Sequence, residues 1–167
     1  MTNLILFITL LAIIWYTIET RRLANFTAKQ IKINIKPIIT ITSIDSSLRL
    51  KNIGKSPALN ILVRDIIRIN NENNQKNEYV FKFTKITVCG SDEERGVEIT
   101  PHYNDKAITA SGDADKTIRY FLDYNSLAQG QNYELIIDYE DIEKGKWRSI
   151  SIVDNKGVHF KEVKELN

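Results

Sequence analysis

The 167-residue sequence contains one cysteine, three prolines and seven glycines, and each shortage excludes a class of protein. Because Cys89 is alone, the chain cannot form an intramolecular disulfide, which excludes a small disulfide-stabilised scaffold. So few prolines and glycines argue against a low-complexity stalk. We therefore expect a chain that folds around an ordinary hydrophobic core, with Cys89 as a small packed residue rather than a nucleophile.

Catalytic motifs are also lacking. The two histidines, His102 and His159, lie far apart in the sequence and show no metal-ligand spacing relative to Cys89. No glycine-rich phosphate loop, H-E-x-x-H or G-x-S-x-G motif is present. The sequence therefore predicts no catalytic residue and no cofactor. An enzyme would require one of the histidines to lie near a carboxylate or near Cys89.

Acidic side chains cluster at two places that could be considered as cation sites. One group is Asp113 with Asp115, and the other comprises Asp138, Glu140, Asp141 and Glu143. Ca²⁺ requires about six to eight oxygen ligands in a set geometry, and neither spacing resembles an EF-hand. We interpret both groups as solvated loop charges or outward strand positions, and we predict no metal site.

Long apolar segments are scarce, and the one that stands out is at the N-terminus. Residues 1–18 carry no charged side chain, and the run from Leu4 to Ile18 would span roughly 22 Å as a helix. With polar residues at each end, that length approaches the bilayer core of about 30 Å. We predict a transmembrane anchor over residues 1–20 and a juxtamembrane helix over residues 21–30. The predicted lipid-facing residues are Leu4, Ile5, Leu6, Phe7, Ile8, Leu10, Leu11, Ile13, Ile14, Trp15 and Tyr16.

Two other interpretations of this segment fit the sequence less well. A cleaved signal peptide would begin with a basic region and end at a site of small residues, and neither is present. A buried core helix would carry an apolar stripe, whereas this run is apolar on all sides.

The charges beside the anchor predict its orientation. Arg21 and Arg22 follow the apolar run, three lysines come soon after, and Glu19 is the sole acidic residue among the first 36. The positive-inside rule therefore places the following domain in the cytoplasm, with the lipid bilayer as one partner. Residues 37–167 carry nearly balanced charge, which argues against nucleic-acid binding.

Beyond the anchor, apolar residues recur with a period of two, which predicts short antiparallel strands. Helix should end at about Gln30, and Pro37 should occupy a bulge or an edge position of the first strand. Polar clusters at residues 70–77, 91–96, 104–116 and 154–157 predict loops. The predicted strands contain Ile31–Ile41, Leu48–Leu50, Leu59–Val63, Tyr79–Phe83, Ile86–Val88, Ile118–Leu122, Tyr133–Tyr139 and Ile150–Ile152.

Two local features favour an immunoglobulin-like β-sandwich over residues 31–167. Gly130 followed by Tyr133 resembles a tyrosine corner, in which the hydroxyl binds backbone in the preceding loop. The segment from Tyr139 to Trp147 predicts a hairpin in which Gly145 could adopt a positive φ. The predicted fold class is therefore mainly β, with an immunoglobulin-like antiparallel β-sandwich preceded by one transmembrane helix.

The segment Asn52-Ile-Gly54-Lys-Ser-Pro57-Ala58 resembles the N-x-G-x-x-P-A signature of uncharacterised single-anchor microbial membrane proteins. That resemblance implies an N-terminal anchor and a sandwich domain, and it implies no activity. From the residues alone, Asn52 and Gly54 suit a turn with positive φ, Pro57 fixes φ, and Ala58 permits close packing. We predict a strand-connecting turn, with a ligand-contacting loop as the alternative.

Three classes of function remain open. The first is a membrane-tethered, non-catalytic module that binds a protein through a loop end or an exposed edge strand. Aromatic side chains such as Phe121 would be candidate contacts if they face outward. The second is an envelope or surface protein, acting in adhesion or assembly with the domain outside. The third is an enzyme, specifically a hydrolase.

Overall fold

A computed structural model describes residues 2–34, 36–44, 47–72, 75–127 and 131–166 of the chain. The chain divides into two compact units, with the boundary between Lys36 and Pro37. The first unit is helical and the second is mainly antiparallel β-structure.

The N-terminal unit contains a continuous helix, α1, which runs from Thr2 to Asn34. Its described side chains from Leu6 to Ile18 include large apolar residues that are all exposed, and Arg21 and Arg22 are also exposed. Within the described part of the chain, no helix combines the length and the apolar character needed to cross a bilayer. The predicted transmembrane helix is therefore not confirmed. The side chains of Leu4 and Ile5 lie outside the described residues.

The predicted first strand is wrong at its start, because residues 31–34 continue α1. Three alternating isoleucines are too short a pattern to separate strand from helix. Extending an existing helix is also easier than nucleating a new element. The first strand, β1, begins only at Ile39. Pro37 precedes this strand, and the irregularity in β1 falls between Ile41 and Ser43.

The second unit contains twelve strands and a second α-helix among the described residues. The three sheets have the orders β1-β2-β7, β12-β11-β10-β3-β6 and β4-β5-β8-β9, and each described strand pair is antiparallel. The strands are β1 (Ile39–Ile44), β2 (Leu48–Asn52), β3 (Ala58–Val63), β4 (Ile66–Glu72), β5 (Gln75–Phe83), β6 (Ile86–Cys89), β7 (Glu94–Val97), β8 (Ile99–Tyr103), β9 (Lys106–Ala107), β10 (Asn132–Glu140), β11 (Lys146–Asp154) and β12 (Gly157–Leu166).

Strand β10 supplies the centre of the core. The predicted strand Tyr133–Tyr139 is confirmed, and its alternate residues form a buried stripe of Tyr133, Leu135, Ile137 and Tyr139. On the neighbouring strand β11, the residues opposite this stripe are Val153, Ser151, Ser149 and Trp147, and all are buried. The predicted strand at Ile150–Ile152 is confirmed as part of β11, and these two isoleucines alternate with the residues that lie opposite the stripe. Ile150 is itself buried beside a register shift between β11 and β12.

The predicted strand at 118–122 is wrong, because residues Ser111–Leu122 form helix α2. Ile118 and Leu122 are buried and Phe121 is half-buried, whereas Tyr120 is exposed. The three inward residues lie three and four positions apart, which is the spacing of one helical face. The alternation of Ile118, Tyr120 and Leu122 concealed this pattern.

Several predicted loops contain regular structure. Residues 70–72 and 75–77 belong to the hairpin of β4 and β5, and the predicted loops at 91–96 and 104–116 contain the start of β7, the short strand β9 and the start of α2. The tip of the first hairpin, residues 73 and 74, lies outside the described residues. Val158 and Val163 both belong to β12, which lies beyond the last strand predicted from the sequence.

Strand β4 was not predicted, and it positions the site described next. It is an edge strand whose hydrogen-bonded neighbour is β5. Ile66 is buried against the core, whereas Ile67 and Ile69 are exposed. By the alternation of a strand, Arg68 shares the face of Ile66 and therefore lies on the inner side of the sheet.

Candidate functional site

Asn52 lies at the centre of a saturated hydrogen-bond network. Its Oδ1 accepts from the backbone N–H groups of Gly54 at 3.0 Å and Ile38 at 3.2 Å. Its Nδ2 donates to the backbone carbonyls of Ser56 at 2.8 Å and Cys89 at 3.1 Å. The side chain is fully buried, and these four bonds use its whole capacity. Asn52 therefore joins several chain segments, which is a structural role.

The other residues of the N-x-G-x-x-P-A turn surround Asn52 and pack closely. Gly54 and Ala58 are buried and Pro57 is half-buried. The expected positive φ at Asn52 and Gly54 is wrong, because the left-handed residue of this region is Asn60, with a φ of 51°. Asn60 lies where the register between β3 and β10 shifts, so the conformation belongs to a bulge rather than to the turn.

Tyr133 donates its hydroxyl hydrogen to the carbonyl of Leu122 at 2.6 Å, eleven residues upstream. The acceptor is the last residue of α2, so this bond fixes the C-terminal end of the helix against β10. Residues 128–130, which include the predicted corner glycine, lie outside the described residues. Burial raises the pKa of the Tyr133 phenol, although the nearby Arg68 opposes the shift.

The acidic residues of β10 and its hairpin turn are held by separate partners rather than by a common centre. Asp138 accepts from Arg148 at 2.6 Å and from Arg64 at 3.0 Å. Partial burial acts to raise the pKa of Asp138, but hydrogen bonds from these two arginines hold that pKa below its usual value. Glu140 accepts from Asn60 at 2.7 Å.

Asp141 is buried within the turn between β10 and β11. One oxygen accepts from the backbone N–H groups of Glu143 and Gly145, each at 2.8 Å, and the other accepts from the indole of Trp147 at 2.8 Å. Gly145 is required here by close approach, because a Cβ would meet Asp141 at 2.6 Å. The predicted positive φ occurs at Lys144 instead. Among the described residues, no group of three or more potential ligands could hold a metal ion.

The residues considered for catalysis are dispersed. Cys89 is fully buried, donates to the carbonyl of Glu93 at 3.3 Å, and has a thiol whose pKa is raised by burial. His102 lies beside the carbonyl of Thr100, whereas His159 lies 3.2 Å from the Asp154 carboxylate. The His159–Asp154 pair spans the β11–β12 turn at an exposed position. An enzyme would require a histidine near a carboxylate or near Cys89. His159 contacts the Asp154 carboxylate, so this requirement does not exclude an enzyme.

A cavity of about 350 Å³ opens beside β4, and its lining differs from the clusters above. The walls are residues 68–70 of β4, Tyr120 and Phe121 of α2, Ser126, and residues 131–132 at the start of β10. A second cavity of about 350 Å³ adjoins it and shares Asn70, Tyr120 and Phe121. The volume lies within the range of small-ligand pockets.

The charged group of this cavity is Arg68. Its guanidinium lies 4.6 Å from the centre of the Tyr133 ring, a cation–π contact. Nη1 donates to the carbonyl of Asn132 and Nη2 to that of Phe121, each at 3.4 Å, which is long for a charged donor. Nε is buried and finds no acceptor among the described residues. Burial lowers the pKa of Arg68, yet a guanidinium keeps its charge at neutral pH.

No carboxylate balances this charge in the described part of the structure. Arg64 and Arg148 pair with Asp138, but no described acidic group lies within ion-pair distance of Arg68. Among the described residues, neither cavity is lined by an acidic side chain, and the second adds the cation Lys116. The two cavities therefore form a positively charged region bordered by the aromatic rings of Tyr120 and Phe121, which meet edge to face at 4.8 Å.

The sequence patterns do not identify this site, because no strand is predicted over β4 and residues 70–77 are predicted to form a loop. In the structure Ile67 and Ile69 are exposed, whereas Arg68 faces inward. A strand that turns its charged residue inward gives no signal in the local sequence. Phe121, the candidate outward aromatic, is half-buried, and the exposed ring is that of Tyr120.

Comparisons with protein-family models, with curated proteins and with solved structures found no match to this chain.

Proposed function

We propose that this chain is a non-catalytic, immunoglobulin-like binding domain, that its N-terminal helix attaches it to a membrane, and that a protein partner binds at strand β4. The observation that carries the proposal is the edge position of β4 together with its two outward isoleucines. An edge strand offers unpaired backbone donors and acceptors, and exposed apolar side chains on it mark a surface that a further strand can cover.

Photo-crosslinking in cells tests the binding surface. We would place p-benzoylphenylalanine at Ile67 in one variant and at Ile142 in a matched control. Both side chains are 59% exposed, but Ile142 lies in the β10–β11 turn. We expect a crosslinked adduct of defined mass from position 67 alone. Equal adducts from both positions, or none from position 67, would contradict a β4 interface.

Membrane attachment is supported by the apolar side chains that α1 exposes between Leu6 and Ile18. We expect the chain to remain in the membrane pellet after an alkaline carbonate wash. Replacing Leu10 and Ile14 together by glutamate should release it, because charged side chains are costly in a bilayer. A Lys156→Glu variant, altered at an exposed turn, is the control and should stay in the pellet.

The side of the membrane is proposed from Arg21, Arg22 and the following lysines, which favour a cytoplasmic domain. A Lys156→Cys variant places an accessible thiol in the exposed turn, whereas the native Cys89 is fully buried. Protection from a membrane-impermeant maleimide in intact cells, with labelling after lysis, is the expected result. Labelling of intact cells would instead favour the surface-exposed adhesion or assembly protein.

A further inference from the structure

Strands β3 and β10 are hydrogen-bonded over a short distance. No strand pairing with β10 is described for β4, which follows β3 in the chain. Val63 lies opposite Ile137 in the β3–β10 ladder, and the N–H of Arg64 still donates to the carbonyl of Ile136 at 2.9 Å. Continuing the same antiparallel register would place Arg68 opposite Asn132. There the described link to Asn132 is the Arg68 side chain rather than a strand hydrogen bond. The first cavity therefore occupies the place where a ladder between β4 and β10 would have continued.

An opening of this kind suits an extended peptide. Its lining includes residues 68–70 of the edge strand β4 and residues 131–132 at the start of β10, so that an inserted strand could pair with the free edge of β4. The backbone edge of β4 would supply sequence-independent hydrogen bonds, and the side chains in the cavity would supply selectivity.

The positive charge of Arg68 would make the cavity selective for peptides that carry a negative charge. Arg68 carries a positive charge that no described acidic group neutralises, and its two terminal nitrogens each use one N–H in a long bond to a carbonyl. Each terminal nitrogen has a second N–H, so the guanidinium retains donors for an anion. Planar guanidinium groups match carboxylates in geometry, and one guanidinium balances one negative charge.

We propose that the opening between β4 and the start of β10 receives an extended peptide and that Arg68 binds a carboxylate of that peptide. This inference rests on the proposed binding function of β4 and assigns its chemical selectivity. The adjoining rings of Tyr120 and Phe121 would contact the neighbouring side chain of the peptide. Lys116, in the second cavity, adds attraction for acidic residues further along.

The test is an NMR titration of the full-length ¹⁵N-labelled chain in detergent micelles with three valine- and threonine-rich heptapeptides. The first has a central glutamate and an amidated C-terminus. The second has glutamine at that position and a free C-terminal carboxylate, and the third has glutamine and an amidated C-terminus. We expect one carboxylate peptide to bind about tenfold or more tightly than the neutral peptide and to shift the Arg68 Nε–H resonance.

Tighter binding of the first peptide would identify an acidic side chain as the source of the carboxylate. Tighter binding of the second would identify a chain terminus. Arg68→Gln should abolish the preference for carboxylate, and Arg68→Lys should weaken it while keeping the charge and the alkyl stem. Arg64→Gln is the matched control, because Arg64 already pairs with Asp138. It should leave the preference unchanged. The Arg68→Lys result decides the matter if Arg68→Gln fails to fold.

The outcomes separate this inference from the proposed function. Equal binding of all three peptides would overturn the role of Arg68 and leave β4 as a binding edge. A preference that survives in Arg68→Gln would overturn it as well. Binding of none of the peptides would overturn the inference, whereas crosslinking at Ile67 would still support the proposed function. Phenylacetate is titrated separately as a small anion. Its binding without binding of any peptide would overturn the peptide site and indicate a small-anion site instead.

Discussion

Asn52 and Arg68 are two inward polar side chains of the same domain, and they use their hydrogen-bonding capacity in opposite ways. Asn52 fills each donor and acceptor position with backbone partners from four places in the chain. Arg68 makes two long bonds and leaves Nε without an acceptor among the described residues. A buried polar group that makes all its hydrogen bonds stabilises the fold. One that leaves donors or acceptors unpaired costs stability and has hydrogen-bonding capacity left for a ligand.

The largest effect is expected from Asn52→Ala. The substitution would leave the N–H groups of Ile38 and Gly54 and the carbonyls of Ser56 and Cys89 without their side-chain partner. The free energy of unfolding should therefore fall by about 3–4 kcal/mol. Urea denaturation followed by circular dichroism of the full chain in detergent would measure it. Asn125→Ala, at an exposed position, should change stability by less than about 0.5 kcal/mol. An equal loss of unfolding free energy in Asn52→Ala and Asn125→Ala would contradict the structural role of Asn52.

Asp141→Asn extends the comparison to a second satisfied group. An amide can keep one oxygen for the backbone N–H groups of Glu143 and Gly145, but it then presents N–H to the Trp147 indole. We expect a loss of about 2 kcal/mol in the same denaturation experiment, because a buried donor would face another donor. Asp113→Asn alters an exposed carboxylate of α2 and serves as the control. A loss in Asp113→Asn as large as that in Asp141→Asn would contradict the prediction.

Asp138→Asn should cost about 1 kcal/mol at pH 7, a value reduced by solvent because Arg64 is half-exposed. The folded pKa of Asp138 is lowered, so its carboxylate stabilises the fold above the unfolded pKa of about 3.9. That contribution should disappear as the pH falls through the folded pKa. Unfolding free energies of the wild type and the variant should therefore differ at pH 7 and converge below about pH 4. A difference that stays constant with pH would refute the assignment.

The smallest effect is expected from Arg68→Met, which keeps an alkyl stem on the Tyr133 ring and removes the unbalanced charge. We expect unfolding free energy to stay constant or to rise by up to about 1 kcal/mol. Carboxylate binding should be lost at the same time. An Arg68→Met variant that is more stable than the wild type but no longer binds carboxylate would show that Arg68, unlike Asn52, serves binding at a cost in stability. A loss of several kcal/mol would assign Arg68 a structural role, as a partner of the C-terminal end of α2.

The sequence predicted those parts of the fold in which burial agrees with local pattern. The stripe from Tyr133 to Tyr139 is one case, and the alternation of Leu48 and Leu50 on β2 is another. Prediction failed at Ile31 and at Ile118 because a few alternating apolar residues fit a helix as well as a strand. It failed at the candidate site because β4 turns its isoleucines outward, a choice made by tertiary packing and invisible in local sequence.

The network of Asn52 also has a consequence for the order of folding. Its partners lie at residues 38, 54, 56 and 89, so the last of them comes from a strand 37 positions away in the chain. The bond to Cys89 can form only once β6 has joined β3. We therefore expect the hydrogen bonds of Asn52 to be completed after the transition state for folding. Its substitution should chiefly accelerate unfolding and leave the folding rate almost unchanged.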